Sequence, residues 1–119
     1  MKDFRQLQIW HKAHAFVLTL YDKTQSFPRD ERFGLTSQMG RAAVSITSNI
    51  AEGCGRQGDA ELARFCQIAM GSPSEVECQL LLARDLGFLE SSDFRQLDDQ
   101  LSVVKRMHNS FIQKLTANR

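Results

Sequence analysis

Leu35 to Gly55 reads LTSQMGRAAVSITSNIAEGCG, and the reading of this stretch decides the fold. Met39, Ala42, Ala43, Ile46 and Ile50 recur at helical spacing and supply one apolar side. Gln38, Arg41, Ser45, Asn49 and Glu52 follow one another at steps of three and four and line the adjacent side. A solvated helix face is normally built from Lys and Glu; this edge is small and hydrogen-bonding. Groups of that kind leave water only when they are paired. The stretch therefore predicts a helix whose polar edge is closed against another helix or another copy of the chain.

The segments on either side read as helices too. Asp3 is a reasonable N-cap for a first helix running to about Thr24 or Gln25, with Phe4, Leu7, Trp10, Val17 and Tyr21 as its stripe and Ala13, Phe16 and Leu20 beside it. Phe27-Pro28 stops it, because the residue before proline avoids the helical region. One loose turn follows over Arg29 to Gly34, and Thr36 or Ser37 is expected to cap the second helix, which runs to about Cys54. Gly53, Gly55 and Gly58 read as cap and turn glycines.

Asp59 is expected to cap a third helix with Leu62, Phe65, Ala69, Val76, Leu80 and Ala83 inward, ended by Gly87. Inside it lies Gly71-Ser72-Pro73-Ser74-Glu75. An interior proline costs roughly 3 kcal/mol, yet Ser-Pro-Ser-Glu is also a capping box. A kink or brief restart near Pro73 is predicted, without reversal of direction. The fourth helix begins near Ser91 or Ser92. Phe94, Leu97, Leu101, Val104, His108, Phe111 and Leu115 then form a heptad seam interrupted by one histidine. No strand pattern occurs. The expected fold is all-α, an antiparallel up-down-up-down four-helix bundle, in one domain over residues 1–119.

Composition fits a soluble globular chain: 119 residues, 42% apolar and 24% charged. No apolar run approaches the roughly 20 residues that span a bilayer, and the mixed-charge start from Met1 to Gln8 has no apolar leader. No membrane association and a cytoplasmic location are expected. Three cysteines without a C-x-x-C pair argue against a disulfide framework, and Cys66 and Cys78 read as small core or interface residues. Fifteen basic and fourteen acidic residues give a net charge of +1, unlike a dedicated nucleic-acid binder. The stretch from Ser102 to Arg119, however, holds Lys105, Arg106, Lys114 and Arg119 and no acidic residue. Lys105, Arg106 and Lys114 are thus a candidate RNA contact, or simply cations at the negative end of a helix dipole.

Chemistry has few places to reside. Carboxylate-bridged metal bundles use Glu-x-x-His, which is absent. His11 and His14 lie three apart and are near enough to share a metal, but Trp10, Ala13 and Val17 beside them favour a packed surface. His108 reads as a hydrogen-bonded core histidine. Arg5 and His11 have the Arg-x5-His spacing of some small helical RNA-cleaving domains. Six helical steps set them about 120° apart, so they converge only if the helix starts late. The glycines follow a helix, not a strand, which excludes phosphate-loop templates. No catalytic residue, metal or cofactor is expected.

The polar edge of the second helix remains. Arg64, Ser72, Glu75 and Gln79 on the third helix have compatible spacing. Arg41 with Glu75, or Asn49 with a neighbouring backbone, would satisfy such groups on burial. The set Gln38, Arg41, Ser45, Asn49, Glu52, Ser72, Glu75 and Gln79 is read as a polar network or subunit interface, the alternative being a small ligand pocket.

Several of these residues resemble a known family. Leu35-Thr36, Gln38, Arg41-Ala42-Ala43, Ser45-Ile46, Asn49-Ile50-Ala51-Glu52-Gly53, Gly71-Ser72 and Glu75 resemble the signature of the four helix bundle protein family. That family includes the proteins encoded within intervening sequences of the large-subunit ribosomal RNA gene. Phe27-Pro28 with Glu31, and Trp10-x-Lys12-Ala13, are similar as well. The resemblance implies a left-handed bundle assembling into a ring, a homopentamer, with no established catalytic residues. It also implies distant kinship with the accessory protein of diversity-generating retroelements, which associates with RNA and a reverse transcriptase. Gly40 and Pro73 depart from the pattern, standing where an arginine and an apolar residue are expected. The expected role is a non-enzymatic homo-oligomeric scaffold. The alternatives are an RNA-binding module, which would partner RNA or an RNA-processing protein, and a helical ribonuclease or metal-binding bundle.

Overall fold

Apolar stripes at helical spacing run through nearly the whole chain, and the computed structural model turns each into helix. It describes residues 2–117, and every regular element among them is helical. The α-helices are α1 (Gln8–Lys23), α2 (Leu35–Gly55), α3 (Asp59–Ala69), α4 (Gly71–Asp85) and α5 (Ser91–Thr116). Short 3-10 turns cover Phe4–Gln6, Thr24–Ser26 and Arg29–Glu31. α1 packs on α2 and α5, and α3 and α4 each pack on the same two helices. α3 and α4 thus share the place of one helix in a four-helix fold 46 × 23 × 20 Å in extent. Phe16, Leu20, Met39, Ile46, Ile50, Leu80, Leu97 and Leu101 fill the centre and are fully buried. No helix among the described residues is long and apolar enough to cross a membrane.

The ends of the helices differ from expectation, for local reasons. α1 starts at Gln8, not after Asp3. The Asp3 carboxylate accepts from the Arg5 backbone N–H at 3.0 Å and caps only the 3-10 turn, after which Leu7 is extended. The Arg5 guanidinium bonded to it holds the Asp3 carboxyl below its ordinary range. Lys2 donates its N–H to the Cys54 carbonyl at 2.9 Å and ties the chain start to the end of α2. α2 begins at Leu35, ahead of the expected Thr36 or Ser37 caps. Glu31 Oε1 caps it instead, accepting the Leu35 N–H at 3.1 Å.

Of the three glycines expected in the second connection, Gly58 alone has positive φ, at +87°. Gly53 and Gly55 belong to α2. A Cβ on Gly53 would sit 2.9 Å from Phe65 Cβ and 3.3 Å from Leu62 Cα, so the missing side chain is what lets α3 lie against α2. Asp59 opens α3 but Gly58, not Asp59, occupies its cap position.

The expected interruption of the third helix falls at Met70, between α3 and α4. Pro73 then occupies the third position of a fresh helix, where its missing N–H removes no intrahelical bond. Ser72 lies within α4 and is not its cap; no side chain caps that end. Gly87 closes α4 as expected, at φ +80°. Its N–H reaches Arg84 O at 3.0 Å and the Phe88 N–H reaches Ala83 O at 2.9 Å, the paired bonds of a Schellman motif.

Candidate functional site

The polar edge of α2 divides into two surfaces. Ser45 and Asn49 are half-buried against α4. Asn49 Nδ2 donates to Ser45 O at 2.8 Å and to Ser45 Oγ at 3.1 Å. Ser72 Oγ donates to Ser45 Oγ at 3.0 Å, joining α4 to α2. On α4, Gln79 Nε2 donates to Glu75 Oε2 at 3.2 Å, and Gln79 is buried. Ser45, Asn49 and Ser72 therefore meet within one subunit. Gln38, Arg41, Glu52 and Glu75 are exposed, and Glu52 pairs with Arg56 at 3.0 Å. The suggested Arg41–Glu75 pair is absent among the described residues: Arg41 turns to the opposite flank.

That flank is a cleft of about 780 Å³ between the end of α1, the following turn and the start of α2. Arg29, Arg32 and Arg41 line it with Tyr21, Thr36 and Ser37, and Gly40 and Val44 also contribute. No carboxylate lines it. Asp30 and Glu31 share the turn, but the Glu31 carboxylate caps α2. Among the described residues none of the three arginines makes an ion pair, whereas Arg5, Arg56, Arg64 and Arg84 each do. Reasoning from sequence missed this cleft. Its signal was present as Arg29-x-x-Arg32 with Arg41, but the turn that gathers them has no periodicity to read.

The expected basic patch does not hold together. Lys105 Nζ lies 3.2 Å from Glu77 Oε1 and braces α5 to α4. Arg106 and Lys114 line a separate groove of about 500 Å³ with Leu7, Ile9, Met107 and Phe111. Arg119 lies outside the described residues.

The histidines are engaged. The late start of α1 brings His11 Nε2 to the Arg5 carbonyl, while the Arg5 guanidinium bonds Asp3 at 2.9 Å. His14 stacks on Trp10 with ring centroids 4.6 Å apart. Among the described residues no three His, Cys, Asp or Glu side chains gather as a metal site would require. His108 is fully buried in the α5 seam, and its Nε2 lies 2.7 Å from Cys66 O. Burial lowers its pKa, which keeps the ring neutral with Nε2–H donating; the carbonyl bond opposes the shift. Burial likewise pushes the Cys66 thiol up to about 12, so it is no nucleophile at neutral pH.

A crystal structure described as a protein of unknown function from the S23 ribosomal protein family of Bacteroides thetaiotaomicron has the same fold. The TM-score is 0.80 at 19% identity, over 88% of this chain and 95% of that one. No curated protein matches the chain. Residues 5–110 match the family described as 23S rRNA-intervening sequence protein. With nearly the whole helical fold inside that match, the chain belongs to the 23S rRNA-intervening sequence protein family.

Proposed function

We propose that the protein is a non-enzymatic scaffold that works as a homo-oligomer. One observation carries this reading: α4 is apolar on two sides. Pro73, Val76, Leu80 and Ala83 face the core, while Leu81 and Leu82 are 41% and 48% exposed and Leu86, just past the helix, is 52% exposed. A helix with a second apolar stripe opposite its core face, here set among Glu75 and Asp85, fits a second packing partner. Outside the subunit, Cys78, Leu81, Leu82 and Leu86 follow at helical spacing as one stripe. The occupant of that stripe in this reading is a second copy of the chain.

The family resemblance supplies the ring and the number five. The short links Arg56–Gly58 and Leu86–Glu90 support the antiparallel up-down-up-down order, the resemblance supports left-handedness, and the break at Met70 supports a kink above Pro73. Light scattering on purified protein tests the assembly. A mass several times that of one chain, falling to one chain in Leu82→Glu, is expected. Equal masses for the two proteins would reject the stripe.

A second reading is RNA binding through several copies of the Arg106–Lys114 groove. It is favoured by the place of those two cations beside half-buried Met107 and Phe111 in one groove and by the gain that multivalency gives weak patches.

A further inference from the structure

From the cleft between α1 and α2, we infer a binding site for a nucleoside phosphate, either a free nucleotide or an unpaired nucleotide of a strand. Three observations converge on it. Arg29, Arg32 and Arg41 come from a turn and a helix to line one cleft without a lining carboxylate and without ion pairs among the described residues. Like charges gathered in this way repel one another, and a bound phosphate relieves that repulsion through charge-assisted bonds from planar guanidinium forks.

The start of α2 adds neutral donors to the same wall. Thr36 and Ser37 belong to the first turn of a 21-residue helix and line the cleft. Their backbone N–H groups have no intrahelical acceptor, and the positive end of the helix dipole favours an anion there. Glu31 takes the Leu35 N–H only.

The third observation selects the ligand class. Phe33, next to Arg32 but outside the cleft lining, is 85% exposed, the most open of the large apolar side chains among the described residues, and the Arg32 guanidinium lies 4.9 Å from its ring centroid. A solvated aromatic ring beside a phosphate-binding arginine is a platform on which a base can stack. Gly40 keeps the cleft open: a Cβ there would stand 3.0 Å from Tyr21 Oη, and any larger side chain would project into the space that the arginines line. Inorganic phosphate would use the arginines alone; a nucleotide uses Phe33 as well.

The test is titration of the full chain with ATP by calorimetry and with a labelled single-stranded oligoribonucleotide by anisotropy. Both are read for wild type, for Arg29→Gln/Arg32→Gln/Arg41→Gln and for Phe33→Ser. Lys12→Gln/Arg84→Gln/Arg95→Gln removes the same charge from exposed positions outside both the cleft and the Arg106–Lys114 groove and serves as control. Binding of at least one probe is expected, weakened about tenfold or more by the cleft triple, with a shallower salt dependence between about 50 and about 200 mM. Phe33→Ser weakens it less, and the control triple least. Binding of ATP alone identifies a free nucleotide; binding of the strand alone identifies a nucleotide within a chain. Circular dichroism verifies folding, and Arg41→Gln alone decides the matter if the triple unfolds. The inference is overturned if neither probe binds, if the cleft variants bind as wild type does, or if the control loses as much. A change in subunit number in the cleft triple without nucleotide binding would make the cleft a subunit contact and overturn it equally.

Discussion

The two flanks of α2 carry the same kinds of residue to opposite ends. On the flank facing α3 and α4, small and polar side chains are closed: Gly53 admits α3, and Ser45, Asn49 and Ser72 satisfy one another. On the flank facing α1, a glycine and an arginine border an open cleft, and among the described residues no side-chain hydrogen bond or ion pair joins α1 to α2. The difference teaches that a polar stripe is not one surface. Its meaning depends on which neighbour each residue meets: four residues apart on one helix, Arg41 lines the open cleft and Ser45 meets Ser72.

Substitution of the two glycines breaks this comparison most sharply. Gly53→Ala places a methyl group against backbone and Cβ atoms that cannot yield, and should lose about 2 kcal/mol even after the better helix propensity of alanine is counted. Urea unfolding measures it, and an unchanged midpoint would mean that α3 does not approach so closely.

The closed side also holds His108, whose pH response comes next in size. Burial depresses its folded pKa below the ordinary 6.5. The unfolded chain therefore binds a proton near that pH while folded His108 stays neutral. Stability should be full above about 6.5 and fall as pH drops from there through the folded value. His108→Gln, which keeps a donor for Cys66 O but does not titrate, should flatten this slope in urea midpoints measured at several pH values. A slope unchanged by that substitution would place the effect elsewhere.

Smaller still is the hydroxyl contact. Ser45→Ala and Ser72→Ala should each lose about 1 kcal/mol, and the double variant should lose less than the sum by about 0.5 kcal/mol. Strict additivity would show that the two hydroxyls act independently. Last is Gly40→Ala on the open flank. Its methyl meets only the movable end of Tyr21, so the propensity gain should prevail and raise stability by about 0.5 kcal/mol. Alanine thus has opposite signs at two glycines of one helix, and equal signs would erase the distinction between the flanks.

Much of this was legible in the sequence. Periodicity located the helices and the core because burial of Met39, Ile46, Leu97 and Leu101 is a property of spacing. Gly87 was readable because only one backbone geometry ends a helix in that way. Gly53 was not: a glycine needed for close approach and a glycine needed for a turn look alike until the partner helix is placed. Ser72 looked like a cap, yet its hydroxyl faces Ser45 from 27 positions away, a distance along the chain that no local rule reaches. Among the site residues, Ser45, Asn49 and Ser72 come together. Lys105 leaves the basic set because Glu77 lies across from it, and Arg41 joins arginines from a turn.

Assembly through the outward stripe of α4 is the claim on which the rest of the reading turns, and light scattering at tens of micromolar reaches it most directly. The account predicts a wild-type mass that is a whole multiple of 13.5 kDa, five being the number the family resemblance implies, and a single 13.5 kDa chain of unchanged helicity for Leu82→Glu. A wild-type protein that runs as one 13.5 kDa chain at that concentration would contradict it.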